Sequence, residues 1–259
     1  MPCPGTLADE TTRNGLCTDA FKGIRYASAA LTAAAHPTPM KKKQQAHIII
    51  DEAGMRAGLR ALRRKCPHMR RIHDRTGDPP LRDYSPGFAG LARIVVGQQV
   101  SLASALAIWG RLQAAVQPLT PEAFLLADDA TLRAVGLSSG KVRTLRGIGS
   151  AIANGFDLEG LTHAPEATVH ERLTSLSGIG PWTADIYALF CLGRADAFAS
   201  GDLALQTVTR LVMGLDTRPS RDELLAIAER WRPWRGVAAH LLWAYYKVAD
   251  RTLLLQKTT

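Results

Sequence analysis

The chain has 259 residues, with 32 Lys/Arg against 23 Asp/Glu and a formal net charge of +9. Hydrophobic residues make up 46% and charged residues 21%, a globular balance that excludes collagen-like, mucin-like and wholly disordered readings. No run approaches the roughly 18–20 consecutive apolar residues of a membrane span; the longest apolar stretch, 237–249, is interrupted by His240 and Lys247. Cys3, Cys17, Cys66 and Cys191 are scattered without a C-x-x-C pair. That argues against a zinc ribbon, a disulfide framework and a cysteine-ligated iron–sulfur cluster, and it suits a reducing cytoplasm. No tripartite secretion signal opens the chain. Residues 1–85 hold 15 Lys/Arg against 8 Asp/Glu, whereas 86–259 hold 17 against 15. A basic flank on a nearly neutral body fits a polyanion, nucleic acid first, although a solvated basic surface gives the same pattern.

Residues 1–46 mix Gly, Pro, Thr and Ala and end in a Lys41-Lys42-Lys43 run, which reads as a disordered extension or one placed before the true start at Met40. The module proper is expected over 47–259. Asp51-Glu52 opens a basic helix carrying Arg56, Arg60, Arg63 and Arg64, followed by a Pro/Gly/Asp-rich connector over 76–86. A helix over 88–96 precedes Gly97-Gln98-Gln99-Val100, and Ser101 caps the next one, which runs to about Val116. Thr120-Pro121-Glu122 starts another helix, Asp129 caps a short one stopped by Gly136, and 139–154 forms a further one with Gly147 and Gly149 as interruptions. Helices follow over 166–176, 181–192 and 202–213. Ser220-Arg221-Asp222-Glu223 has the capping-box form, and a last helix runs from about Trp234 past Lys247. Beyond 47–50 no alternating pattern appears, so the predicted fold is all-α.

The most specific stretch is Leu176-Ser177-Gly178-Ile179-Gly180-Pro181-Trp182-Thr183-Ala184. Two glycines let the backbone turn between helices where side chains would clash, Ile179 points inward, and Pro181 starts the second helix without wasting a donor. Free N–H groups of the turn then face a phosphate oxygen. A plain tight turn between helices is the alternative.

This segment resembles the helix–hairpin–helix of the DNA glycosylase superfamily, with Gly178, Ile179 and Gly180 as its DNA-binding turn. The superfamily follows its hairpin with a Gly/Pro-rich loop and an aspartate. Here Ala197-Phe198-Ala199-Ser200-Gly201-Asp202 stands in that place, and Asp202 matches the catalytic aspartate. Asp202 is also the expected N-cap of its helix. A carboxylate can stabilise an oxocarbenium-like sugar and orient the attacking water. Ile94-Val95-Val96-Gly97-Gln98-Gln99-Val100-Ser101 and Trp231-Arg232-Pro233-Trp234-Arg235, with Trp243 nine residues after Trp234, resemble the 3-methyladenine DNA glycosylase II type, in its short form without an N-terminal β lobe. Several ordered motifs carry more weight than one.

The resemblance implies a fold of two lobes, 51–101 with 202–259 and 102–201, and an active site in the cleft between them. It implies hydrolysis of the N-glycosidic bond of alkylated purines such as 3-methyladenine and 7-methylguanine in damaged double-stranded DNA. The protein is expected to act by base flipping, as a monomer without an obligate protein partner or a membrane, in the cytoplasm at the nucleoid. Trp182 and Trp243 match pocket tryptophans, whose faces hold a cationic base; core packing is the ordinary fate of such residues. Tyr187 is a third expected ring, although some members place that ring where Ile186 stands here. Trp109, Trp231 and Trp234 are taken for packing or lobe-interface residues. Bifunctional members carry a lysine at the Trp182 position, and Lys141 and Lys247 match no such motif, so no lyase activity is expected. Gln99 matches the wedge that fills the gap left by the base, or else caps a helix break. Gln98 contacts the opposite bases or holds the turn. Lys141 and Arg143 touch phosphate or are merely solvated. No cofactor is required and no metal is held by side chains; the resemblance places a monovalent cation on the carbonyls of Thr174, Leu176 and Ile179. The rival readings are a glycosylase for another lesion and a non-catalytic DNA-binding module.

Overall fold

The computed structural model describes residues 51–82 and 84–249, so the expectations for 1–46 and for 47–50 lie outside the described residues. Within them the chain is helical, and it forms no strand. No helix among them is long and apolar enough to cross a membrane.

Caps set most boundaries. Asp51 Oδ1 accepts the Gly54 N–H at 2.6 Å and starts α1 (Glu52–Lys65), which ends on Arg63, Arg64 and Lys65, cations against the carbonyl end. The single basic helix of the sequence reading is in fact two. Cys66 is extended ahead of Pro67, as a residue before proline prefers, and α2 (Pro67–Thr76) starts afresh. After the connector come α3 (Phe88–Gly97) and α4 (Leu102–Ala115), the latter capped by Ser101, which accepts the Ser104 N–H at 3.1 Å. Thr120 caps α5 (Pro121–Leu126). Asp128, rather than Asp129, caps α6 (Asp129–Ala134), accepting the Thr131 N–H at 2.8 Å. Ser138 caps α7 (Ser139–Ala153), which runs unbroken through Gly147 and Gly149. The remaining helices are α8 (Glu166–Thr174), α9 (Pro181–Phe190), α10 (Leu203–Met213), α11 (Arg221–Ala228) with its complete Ser220/Glu223 capping box, and α12 (Arg235–Val248).

Two packing groups emerge. In one, α2 lies against α1, α10 and α12, and α10 against α12 and α11. In the other, α7 packs on α5, α6 and α3, and α8 on α9. The sequence reading grouped α3 with the first set, but its helix partners are α4, α7 and α9. Its sequence explains this, because seven of its ten residues are buried and it can only sit inside a bundle. One continuous apolar core runs through both groups, with Leu59, Met69, Leu91, Leu112, Phe124, Leu145, Trp231 and Leu241 essentially inaccessible.

The motif 231–235 acts as a clamp between segments. Trp231 is fully buried, and Arg235 makes a two-pronged pair with Asp196, Nε to Oδ1 at 3.0 Å and Nη2 to Oδ2 at 3.1 Å. Arg232 joins the same carboxylate, and the Gly236 N–H donates to the Ala195 carbonyl at 2.7 Å. This fastens the start of α12 to the loop that leads into α10.

Candidate active site

The loop 197–201 delivers Asp202 to the mouth of α10. Buried Gln206 holds that loop from below by donating Nε2 to the Ser200 carbonyl at 3.0 Å. Asp202 is the helix N-cap, as expected, with Oδ1 accepting the N–H groups of Ala204 at 2.9 Å and Leu205 at 3.0 Å. Two further donors converge on it. Trp182 Nε1, from the second residue of the helix after the hairpin, donates to Oδ2 at 3.0 Å, and Trp243 Nε1 of α12 donates to Oδ1 at 3.3 Å. Three segments far apart in sequence therefore meet at one carboxylate. The indoles are oriented by it, and it is oriented by them.

Around this carboxylate lies a cavity of about 390 Å³, large enough for a purine. Trp182, Trp243, Phe190, Trp109 and Arg82 line it together with Asp202. Phe190 meets Trp243 with ring centres 5.5 Å apart. Expectation and structure part at three residues. Tyr187 is not a wall of the cavity: it is fully buried, its hydroxyl accepts the Gly87 N–H at 2.9 Å, and burial pushes its phenol pKa up. A helix turns about 100° per residue, and Ile186, one position earlier, faces the cavity instead. Trp109 is a wall rather than simple packing, and Lys247 stands exposed at the rim of the same cavity. Trp231 and Trp234 pack as expected, Trp231 in the core.

The sequence reading missed Arg82 and Arg93. Arg82 lies 5.2 Å from the Trp243 ring centre and 5.4 Å from that of Phe190; Arg93 lies 4.1 Å from that of Tyr84 and 5.8 Å from that of Trp109. Burial lowers the Arg82 pKa from its usual value, while Tyr84 and Asp202 raise it. Arg82 sits in a connector that looks like a polar linker, and no local signal marks it.

At the hairpin, Gly178 has φ +82°, and a Cβ there would come within 2.2 Å of Thr144 Oγ1 on α7. Gly180 has no such neighbour; a Cβ would meet open space, so its lack of a side chain leaves the outer face clear for a large group. Ile179 is buried and anchors the turn. Among the described residues no backbone N–H donates to the carbonyls of Thr174 or Ile179, and Leu176 accepts one, from Ile179 at 3.1 Å. These oxygens fit a hard monovalent cation.

Between α3 and α4, Gln98 Nε2 donates to Thr183 Oγ1 at 2.9 Å and ties the turn to α9. Gln99, beside it, is exposed at φ +56°, the one non-glycine in that region among the described residues. Lys141 Nζ donates to the Val96 carbonyl at 2.8 Å and so closes the end of α3; burial lowers its pKa. Arg143 is exposed in a surface groove with Arg133 and Arg146.

Comparison with known proteins agrees with this architecture. Residues 92–233 match the family model described as HhH-GPD superfamily base excision DNA repair protein. The chain is similar to DNA-3-methyladenine glycosylase 1 of Schizosaccharomyces pombe, 32% identical over 167 residues that span 62% of this chain and 73% of that protein. Among solved structures it resembles the fission yeast 3-methyladenine DNA glycosylase in complex with abasic DNA, with a TM-score of 0.67, 26% identity, and 74% of this chain and 95% of that one covered. A DNA-3-methyladenine glycosidase from Bacillus halodurans matches with a TM-score of 0.63 at 29% identity over 73% and 88% of the two chains. The model match takes in the hairpin, Asp202 and the start of the clamp motif as far as Pro233, and the chain belongs to the HhH-GPD superfamily of base excision DNA repair proteins.

Proposed function

We propose that this protein is a monofunctional DNA glycosylase, acting as a monomer, that hydrolyses the N-glycosidic bond of alkylated purines extruded from duplex DNA. The observation that carries the proposal is the Asp202 carboxylate, held by two backbone N–H groups and two indole N–H groups at the wall of a purine-sized aromatic cavity. A DNA-binding module without chemistry has no need of such an arrangement.

The flipped base enters between Trp182 and Trp243, and removing it from the stack costs a few kcal/mol. Gln99, pushed out in a left-handed conformation by the turn that Gln98 anchors, fills the vacated place. The N–H groups of Gly178, Gly180 and the start of α9 take a phosphate oxygen, while Ile179 spends its own on the Leu176 carbonyl; a cation on the hairpin carbonyls would add positive charge there. Arg143 reaches the backbone from the neighbouring surface. As the bond to the base breaks, positive charge grows on the sugar, and the anionic oxygens of Asp202 stabilise it and orient the incoming water. Trp182 has no amine with which to form a Schiff base, so the product is an intact abasic site.

Single-turnover base release from methylated duplex DNA tests this reading, wild type beside Asp202→Asn. Wild type is expected to free 3-methyladenine and 7-methylguanine and leave the strand uncut until alkali, while Asp202→Asn binds DNA but loses activity by about 100-fold or more. Equal activity of the two proteins would reduce Asp202 to a helix cap. Borohydride treatment during turnover should trap no covalent complex. A complex that forms with wild type and disappears in Lys247→Gln would assign lyase chemistry to the lysine at the rim.

A further inference from the structure

The cavity already holds a cation. Arg82 reaches in from the connector between α2 and α3 and lays its guanidinium over Trp243 and Phe190, two of the rings a base would use. Cation–π contacts of this kind contribute about 0.5–2 kcal/mol each, enough to hold the side chain in place. Among the described residues no hydrogen-bond acceptor engages the guanidinium, and Asp202 is the one carboxylate of these whose charge bears on it. No described residue takes its N–H donors, and a group that enters the cavity can meet them. Behind the same rings, buried His240 commits Nδ1 to the Gly236 carbonyl, and its Nε2 finds no partner among the described residues.

Two kinds of base meet this guanidinium differently. A cationic purine stacking on Trp243 is repelled by it, whereas a neutral purine with an acceptor on its edge receives a charge-assisted hydrogen bond. The chemistry adds to the difference. In hydrolysis the C1′–N9 electron pair goes to the base, the water oxygen bonds C1′, and that water gives up a proton. A cationic base departs neutral, and the proton goes to solvent. A neutral base departs as an anion until it takes that proton, and N–H donation from a permanently charged group lowers the cost of that anion.

We propose that Arg82 is a specificity-determining residue that donates to an acceptor on the extruded base and shifts the pocket toward neutral purines bearing an acceptor where adenine carries its amino group. The proposal rests on the glycosylase reading above. Its test compares single-turnover release of hypoxanthine and of 1,N6-ethenoadenine from defined duplexes with release of 3-methyladenine from methylated DNA, in wild type, Arg82→Gln and Arg82→Lys. Wild type is expected to free all three. Arg82→Gln should lower the ratio of neutral-base to 3-methyladenine release by about tenfold or more, and Arg82→Lys, which keeps the charge but loses the fork, should fall between. The ratio is read within each protein, so a loss of folded enzyme cancels. A ratio unchanged to within about twofold in Arg82→Gln overturns the proposal. So does a wild type that frees 3-methyladenine but neither neutral base. A wild type that frees nothing from methylated DNA brings down the reading underneath and the proposal with it, and this is seen before any variant is made.

Discussion

Asp202 accepts four N–H groups, and the two that come from Trp182 and Trp243 couple stacking to chemistry. Each tryptophan has a face for the base and an edge for the carboxylate, so replacing one disturbs both. Trp182→Phe separates the two roles: the ring stays and the donor goes. Losing a hydrogen bond to a charged group costs about 1.5–3 kcal/mol, so the single-turnover rate should fall about 10- to 100-fold while affinity for abasic DNA changes much less. Trp182→Ala should damage both. Tyr187 gives the contrasting case. Its hydroxyl is the acceptor for the buried Gly87 N–H, so Tyr187→Phe should cost about 1–3 kcal/mol in urea unfolding and leave the KM for methylated DNA unaltered.

At the scale of elements, the α3–α4 turn gathers three constraints within a few residues. Lys141 closes the α3 carbonyl end, Gln98 bridges to Thr183, and Gln99 takes a left-handed conformation that costs a side-chain-bearing residue about 1–2 kcal/mol. Strain kept at an exposed glutamine beside the cavity fits a functional demand. Gln99→Gly relieves the strain and removes the wedge. It should raise the unfolding free energy by up to about 1 kcal/mol, after glycine's own entropy is counted, and slow base release from duplex more than from single-stranded substrate. The hairpin and the clamp at 231–235 act similarly as rigid connectors. One presents N–H groups to solvent on a turn that Thr144 closes at Gly178, and the other ties α12, with Trp243, to the loop that carries Asp202.

For the whole molecule, the buried histidine behind the site sets a pH limit. Burial, with Arg82 nearby, pushes His240 down to about 4 from an ordinary 6.5, against a smaller opposing effect of the Gly236 carbonyl. The folded pKa is depressed, so the unfolded chain takes up the proton first. The stability that comes from keeping the ring neutral is complete above pH 6.5 and is lost progressively as pH falls toward 4, by about 3 kcal/mol in all. Asp185, which burial pushes up to about 7, works in the opposite sense over much of the same window. The informative quantity is therefore the difference between wild type and His240→Phe in urea midpoint from pH 7.5 to pH 4; it should narrow or reverse in favour of the variant as the pH drops.

The sequence by itself determined most of the helices, the hairpin and the placement of Asp202 at a helix start, because caps, prolines and glycines act over three or four residues and leave their signature in order along the chain; the break at Cys66 went unread. Resemblance of whole motifs to a known family also marked Trp182 and Trp243. What only the tertiary structure decided was which side chains share the cavity. Tyr187 and Ile186 exchange roles through a single step of helix rotation. Trp109 becomes a wall only because α4 lies across α3. Arg82 becomes part of the pocket only because α12 brings Trp243 beneath it. Arg82 and Trp243 stand 161 positions apart, and no periodicity or local propensity encodes such a contact; it exists only after the core has closed.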